Sequence, residues 1–181
     1  MRRIPSVAVA ALLAIGPLSG QALSRPVSRN PFPWMGDSST SGFTGEVAVL
    51  VARGDQLTAT LHYGAGQRAY RRAVEIAKSQ GQIPTVERWR LAAALYFDGQ
   101  NIEAARALDG LVSEAQDGGD LVAEGRALYG AAWLWGQGGH PVEARARVSR
   151  LKKLMESPYF PSDVRTDLSA RIAMTENVTT R

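Results

Sequence analysis

The pattern of apolar positions is helical from about residue 85 onward. Apolar side chains recur there at spacings of three and four residues, the period of an α-helix that buries one face. Five such stretches follow one another, separated by glycine- or proline-containing turns. Their apolar faces contain Val86, Trp89, Ala93 and Tyr96; Ala105, Leu108 and Val112; Leu121, Leu128, Ala132 and Trp135; Ala144, Val148 and Leu151; and Val164, Leu168 and Ile172. The pattern therefore predicts helices from residue 85 to about residue 175.

Capping residues predict where these helices begin and end. Proline is favoured in the first turn of a helix. The residue before the helix is commonly serine, threonine, asparagine or aspartate. Glycine is favoured just after the end of the helix. The expected N-caps are Thr85, Asn101, Asp120 and Ser162, Pro141 is the expected first residue of a helix, and the expected ends lie at Gly99, at the loop 117–120 and at Gly136 to Gly139.

The segment 43–80 has a less regular pattern, for which we also favour helix. Ala69, Tyr70, Ala73 and Val74 keep helical spacing, so one long helix from Leu57 to Ala77 is expected. The preceding Arg53-Gly54-Asp55 is interpreted as a turn, with aspartate as a cap. Residues 46–53 are compatible with a short helix or a strand. Together the chain is expected to form about six helices and an all-α fold.

Large and small apolar residues repeat at an offset of 39 positions. The matched pairs are Trp89 with Leu128, Ala92 with Ala131, Ala93 with Ala132, Tyr96 with Trp135, and Ala105 with Ala144. Small residues allow two antiparallel helices to approach closely, and one such pair cannot bury its apolar face alone. The offset therefore predicts stacked helix pairs, with a partial third copy that includes Leu50, Gly54 and Tyr70.

This order of residues resembles the tetratricopeptide repeat, a family of antiparallel helix hairpins that stack into an α-solenoid. The resemblance places repeat units at about 86–120 and 125–158. Three departures are present: the repeat is longer than the family's, Asp109 stands where an aromatic residue or leucine is expected, and the terminal proline is absent from its usual place. An unrelated α-helical bundle remains the alternative fold.

The resemblance also implies a function, because the first helix of each pair lines a concave groove in this family. Transferred onto this sequence, the groove residues are Glu87, Arg90, Ala94 and Phe97 from the first unit and Arg126, Tyr129, Trp133 and Gln137 from the second. Aromatic rings beside guanidinium groups suit a peptide with an acidic or C-terminal carboxylate end. The expected function is a non-enzymatic protein–protein interaction module that binds a protein or peptide partner. Two alternatives stay open, packing of Trp133 against its own domain and self-association into a homodimer.

The N-terminal segment has the pattern of an export signal. Residues 1–22 combine two arginines, an apolar stretch too short to span a bilayer, and small residues before a cleavage point. Residues 23–42 are rich in proline, serine and threonine, which predicts a disordered linker, with Pro31-Phe32-Pro33-Trp34 as a short docking element. The helical domain is then expected at 43–175, followed by a flexible tail at 176–181. The protein is expected to be periplasmic or secreted, without a transmembrane span in the mature chain.

Composition and charge narrow the chemistry further. The net charge is +4, falling to +2 without Arg2 and Arg3, which is too weak to indicate nucleic-acid binding. Cysteine is absent and only two histidines, His62 and His140, occur, so we expect no metal, no cofactor and no catalytic residue. The remaining enzyme hint is Gly64-Ala65-Gly66-Gln67-Arg68-Ala69, which matches a nucleotide-binding turn if residues 58–63 form a strand before it. A nucleotide-binding enzyme is therefore the third hypothesis, and a glycine-interrupted helix is the simpler interpretation.

Overall fold

A computed structural model describes the backbone of residues 45–179 and the side chains of residues 45–173. The predicted signal peptide at 1–22 and linker at 23–42 lie outside the described residues. The described residues form seven α-helices and no strand, which confirms the all-α prediction and corrects the expected number of helices by one. The helices are α1 (Gly45–Ala59), α2 (Tyr63–Ser79), α3 (Thr85–Phe97), α4 (Asn101–Gly118), α5 (Leu121–Gln137), α6 (Pro141–Met155) and α7 (Ser162–Thr179).

Consecutive helices pack antiparallel on one another from α1 to α6. In the first pair, Val47 near the start of α1 shares an apolar cluster with Ile76 near the end of α2. In the next pair, the amide of Gln67 at the start of α2 donates to the carboxylate of Asp98 just after α3, with a distance of 2.9 Å. Because the turns are short and each helix has an apolar face, each helix buries that face by packing antiparallel on the next helix.

Alternate helices run parallel and form two layers. In the first layer, the Trp89 ring of α3 lies against Gly130 of α5, and Arg90 of α3 pairs with Asp55 of α1. Phe160 and Leu168 reach Gly125, so α7 adds to this layer on the far side of α5. We call α1, α3, α5 and α7 the odd-helix layer.

The even-helix layer consists of α2, α4 and α6, joined by ion pairs. Lys78 of α2 lies 2.8 Å from Glu114 of α4, and Arg147 of α6 lies 2.8 Å from Asp109 of α4. The main hydrophobic core lies between the two layers and is centred on α3, α4 and α5. Small residues stand where the helices approach most closely, among them Ala92, Ala105 and Ala131, each fully buried.

The segment 45–80 contains two helices and not the single long one predicted from Leu57 to Ala77. The chain breaks at residues 60–62, where Leu61 takes a left-handed backbone conformation with φ of 62°. Gly54 lies within α1 and not in a turn, so the predicted cap role of Asp55 is also wrong. The glycine is needed for packing, because a Cβ atom there would lie 2.3 Å from the Tyr70 ring of α2.

Helix ends follow the capping prediction in part. The Asp120 side chain accepts from the amide of Ala123 at 2.9 Å, and α6 begins at Pro141. Pro84 and Gln100 occupy the positions before α3 and α4 in place of Thr85 and Asn101, and neither side chain makes a capping bond. The predicted loop 117–120 is shorter, since α4 continues to Gly118. At the C-terminus the α7 backbone extends to Thr179, into the segment predicted as a flexible tail.

Asp109, the residue that departs from the repeat pattern, joins three helices. Its carboxylate accepts from the indole nitrogen of Trp135 at 2.9 Å and from the guanidinium of Arg147 at 3.1 and 2.8 Å. The same guanidinium carbon lies 5.4 Å from the centre of the Trp135 ring. An aromatic residue at position 109 would have filled space between helices, whereas the aspartate supplies hydrogen bonds between α4, α5 and α6.

Candidate functional site

The surface of α5 that turns away from the even-helix layer carries three of the predicted groove residues. Contacts fix the orientation of the helix: Glu124 is paired with α6 and Gly125 is covered by α7. With 100° between successive residues, the stripe left over contains Arg126, Tyr129 and Trp133. These residues lie at i, i+3 and i+7 and therefore form one continuous row on the odd-helix layer.

The corresponding row of α3 contains Glu87, Arg90, Ala94 and Phe97. Trp89 faces α5 and Arg88 faces α4, where it binds Glu114, so this row lies on the same side of the layer as the row of α5. Because α3 and α5 are parallel neighbours, the two rows run side by side. The structure thus brings the predicted residues onto one surface, although they differ in burial and in their partners.

Four aromatic rings form a ledge at the end of this surface. The ring of Tyr63 stacks on Phe97 with centroids 6.4 Å apart, Phe97 meets Tyr96 edge-on at 5.4 Å, and Tyr96 meets Trp133 edge-on at 5.4 Å. We call Tyr63, Tyr96, Phe97 and Trp133 the aromatic ledge. Phe97 keeps 59% of its surface exposed, which is unusual for a large apolar side chain with two aromatic neighbours. Sequence reasoning placed Phe97 and Trp133 in the groove and Tyr96 on the apolar face of its helix, but it missed Tyr63, whose ring meets Phe97 only in the fold.

Arg90 is held in place by an ion pair within the odd-helix layer. Its guanidinium binds one oxygen of the Asp55 carboxylate, and the hydroxyl of Tyr70 donates to the other oxygen at 2.7 Å. Burial lowers the pKa of Arg90 and raises the pKa of Tyr70. Arg90 therefore organises the surface between α1 and α3, and its charge is already matched by a carboxylate.

Glu87 is buried beside this network, with 3% of its surface exposed. Desolvation raises the pKa of its carboxyl group, and the hydrogen bond to its own backbone amide offsets the rise only in part. The predicted site thus contributes a buried carboxyl group on α3 and not an exposed negative charge.

The buried carboxyl group gives a testable pH dependence of stability. Because the folded state binds the Glu87 proton more tightly than the unfolded state, this group stabilises the fold below its unfolded pKa, and the contribution is lost as pH rises through the folded pKa. Glu87→Gln is therefore expected to raise the melting temperature at pH 7.5 and to leave it nearly unchanged at pH 4. Thermal unfolding at both pH values measures the difference.

Glu114→Gln is the matched control for this experiment. Burial alone would raise the pKa of Glu114, but hydrogen bonds and charge from Arg88 and Lys78 outweigh it and lower the pKa. A group whose pKa is lowered in the folded state stabilises the fold above its unfolded pKa. This stabilisation is lost on acidification. This variant is therefore expected to melt at lower temperature at pH 7.5, with the deficit shrinking toward pH 4. Parallel pH profiles for Glu87→Gln and the wild type would contradict the assignment.

The remaining predicted residues define the edges of the surface. Arg126 is half-buried, and its Nε atom is shielded from solvent. Tyr129 keeps 7% of its surface exposed, so it contributes to the floor rather than to the rim. Gln137 is exposed at the last residue of α5. The accessible chemistry of the surface therefore comes mainly from the aromatic ledge, and Arg126 lies about 10 Å from Trp133 along α5.

The even-helix side has its own concavity, of about 370 Å³, between α2, α3 and α4. Its floor is apolar and its rim is charged, but the charges are compensated within the protein. Arg88 and Lys78 both bind Glu114, and Arg106 binds Glu103. Because these side chains are already paired, the rim is suited to holding α2 against α4.

The glycine-rich motif at 64–69 lies in a helix–helix contact. No strand precedes it among the described residues, because Thr58 belongs to α1 and the motif itself lies within α2. A Cβ atom on Gly66 would lie 3.0 Å from the Thr58 methyl group and 3.2 Å from the Gly54 carbonyl. The small residues therefore let α1 and α2 cross closely, as the simpler interpretation of the motif predicts.

Two further observations concern the described residues as a whole. None of the helices in residues 45–179 has the length and apolar composition required to cross a bilayer. Within the same part of the chain, histidine, aspartate and glutamate side chains do not gather in groups of three or more that would hold a metal ion. Comparison of the chain with protein-family models, with curated proteins and with solved structures found no match.

Proposed function

We propose that this protein is an exported, non-enzymatic helical-repeat module of tetratricopeptide type that binds an extended peptide of a partner protein on the odd-helix layer. The observation that carries the proposal is the aromatic ledge. Phe97 is exposed and the other three rings are half-buried. Aromatic rings that are preorganised by contacts with one another lose little conformational entropy on binding, and aromatic residues are enriched among those that dominate interfaces. The stacked hairpins supply a rigid base for this surface.

The polar residues of the two rows lie away from the ledge. Along their helices, Glu87 is about 15 Å from Phe97 and Arg126 is about 10 Å from Trp133, and Glu87 is buried. Arg90 is matched by Asp55, so one of the two arginines in the predicted carboxylate site is already neutralised. The proposed ligand is therefore an extended segment with aromatic or proline side chains that pack on the aromatic ledge.

The experiment is a selection of dodecapeptides displayed on phage against the immobilised full chain. Enriched peptides are expected to lose about tenfold or more in affinity for Trp133→Ala, because buried aromatic anchors at interfaces are commonly worth 2 kcal/mol or more. Arg126→Glu is expected to weaken the same peptides. Fluorescence anisotropy of the labelled peptides measures both losses, and circular dichroism shows whether the helices are retained.

Tyr159→Ala is the matched control. Tyr159 is an aromatic residue with 84% of its surface exposed, and it lies in the connection between α6 and α7, away from the ledge. The proposal requires that this variant bind the selected peptides as the wild type does. Equal binding by wild type and Trp133→Ala would overturn the proposal, as would a selection that enriches no peptide on any form of the chain.

A further inference from the structure

We infer that the aromatic ledge binds a proline–aromatic segment of this chain itself, Pro31-Phe32-Pro33-Trp34, which thereby competes with partner peptides. The inference rests on the proposed function, because it names the ligand chemistry of the same surface and adds its regulation. The segment lies outside the described residues, and it is the part of the sequence whose side chains match the ledge most closely.

The chemistry of the two surfaces is complementary. Proline-rich segments adopt the polyproline II conformation before binding, and grooves lined by aromatic rings recognise them by packing rings against proline faces. The segment alternates two prolines with phenylalanine and tryptophan. The ledge offers rings set edge-on to each other, with an open face at Phe97. The rings of the ledge are held by contacts with one another, so they lose little conformational entropy when a ligand binds.

The dimensions of the segment fit those of the ledge. Polyproline II rises about 3.1 Å per residue, so the α-carbons of Pro31 and Trp34 are about 9 Å apart. Across the ledge, two successive ring contacts of 5.4 Å lead from Phe97 through Tyr96 to Trp133. A single four-residue segment therefore spans the rings contributed by α3 and α5.

The length of the connecting chain allows the segment to reach the ledge. Ten residues lie between Trp34 and Gly45, the first residue of α1, so eleven residue steps give a reach of about 36 Å when extended. The N-terminal ends of α1, α3 and α5 lie together because these helices are parallel. Across the layer, α5 lies two helix spacings of about 10 Å each from α1. Along α5, Trp133 lies about 18 Å from the start of the helix. The two distances are perpendicular, so the ledge is about 27 Å from Gly45. The same chain can therefore reach its own ledge without strain.

Occupation in cis has a measurable consequence. A tether of this length holds the segment at an effective concentration on the order of 1 mM. If the isolated segment binds with a Kd of about 0.1 mM, the ledge is about nine-tenths occupied, and the apparent Kd of any competitor rises about tenfold. Removing the two aromatic side chains of the segment should restore the intrinsic affinity.

The experiment uses the full chain and a synthetic probe. The probe is a fluorescently labelled peptide with the sequence of residues 28–40, titrated with wild-type protein and with the double variant F32A/W34A. We expect the double variant to bind the probe about tenfold more tightly than the wild type does. Adding Trp133→Ala to the double variant is expected to abolish this binding, whereas adding Tyr159→Ala should leave it unchanged. The variant S38A/S39A, altered outside the motif, should behave as the wild type.

The outcomes separate this inference from the function on which it rests. Equal affinities of wild type and F32A/W34A for the probe, or no binding by either, would overturn docking of the segment. If peptides selected from the phage library still depend on Trp133 in that case, the proposed function stands without it. If the tenfold difference in probe affinity disappears on dilution and sedimentation shows a dimer, the segment binds the ledge of a second copy. The inference that it binds the ledge of its own chain is then wrong.

Discussion

Replacing Trp89 with alanine is expected to lower the free energy of unfolding by about 3–5 kcal/mol, the range found for large aromatic residues in protein cores. Trp89 keeps only 3% of its surface exposed, and its ring reaches the backbone of Gly130, so it fills the space between α3 and α5. Alanine would leave a cavity that rigid neighbouring helices cannot close. Urea unfolding followed by circular dichroism at 222 nm measures the loss.

Trp133→Ala is the comparison for this variant, because the same atoms are removed from a half-exposed position in the same layer. Trp133 meets Tyr96 edge-on, an interaction worth about 0.5–1.5 kcal/mol beyond area burial. Its replacement is expected to cost less than half of the loss for Trp89. Similar losses for both variants would mean that Trp133 belongs to the core, and the role proposed for it in peptide binding would then fail.

The difference between these two tryptophans shows what the sequence could and could not specify. Helical periodicity placed both residues in helices, and the offset of 39 assigned Trp89 to the core of its unit. For Trp133 the sequence left two interpretations open, since its neighbour Tyr96 lies 37 positions away. Periodicity reports which face a residue occupies within one helix, but contacts across helices depend on how the helices are rotated against each other.

The errors in the first hairpin have a different physical origin. Gly54 was interpreted as a turn because glycine is permissive in turns, yet it lies in α1 where the Tyr70 ring approaches its backbone. A glycine that breaks a helix and a glycine that allows close helix packing look the same in a single sequence. The break at residues 60–62 carried no glycine or proline, and Leu61 takes the left-handed conformation there.

Polar contacts between helices were also beyond the reach of the sequence. Arg145 on α6 is exposed to solvent, whereas Arg147 and Arg150 bind Asp109 and Glu124 on neighbouring helices. These pairs are 38 and 26 residues apart, so no local spacing rule connects them. The departure of Asp109 from the repeat pattern was the available signal, because a polar residue at a core position requires a partner.

Replacing Gly130 is expected to have the second large effect on the free energy of unfolding, because this residue lies where three helices meet. A Cβ atom there would lie 2.6 Å from a methyl group of Leu108 in α4 and 2.7 Å from the Trp89 ring in α3. Alanine normally favours a helix over glycine by about 0.5–1 kcal/mol, but overpacking a core costs about 1–3 kcal/mol. Because Leu108 is fully buried and has little room to move, Gly130→Ala is expected to destabilise the protein by about 1–2 kcal/mol.

Gly136, six residues further along the same helix, separates the two contributions. It is exposed, and the nearest atom to an added Cβ would be the Cβ of Ala144 at 4.0 Å, so Gly136→Ala adds helix propensity without a clash. This variant is expected to gain about 0.5–1 kcal/mol in urea unfolding, the opposite sign to Gly130→Ala. If both variants were stabilised, α3, α4 and α5 would not be packed closely at Gly130. The rigid base that preorganises Tyr96 and Trp133 would then be lost, and with it the physical reason for placing a binding site on the odd-helix layer.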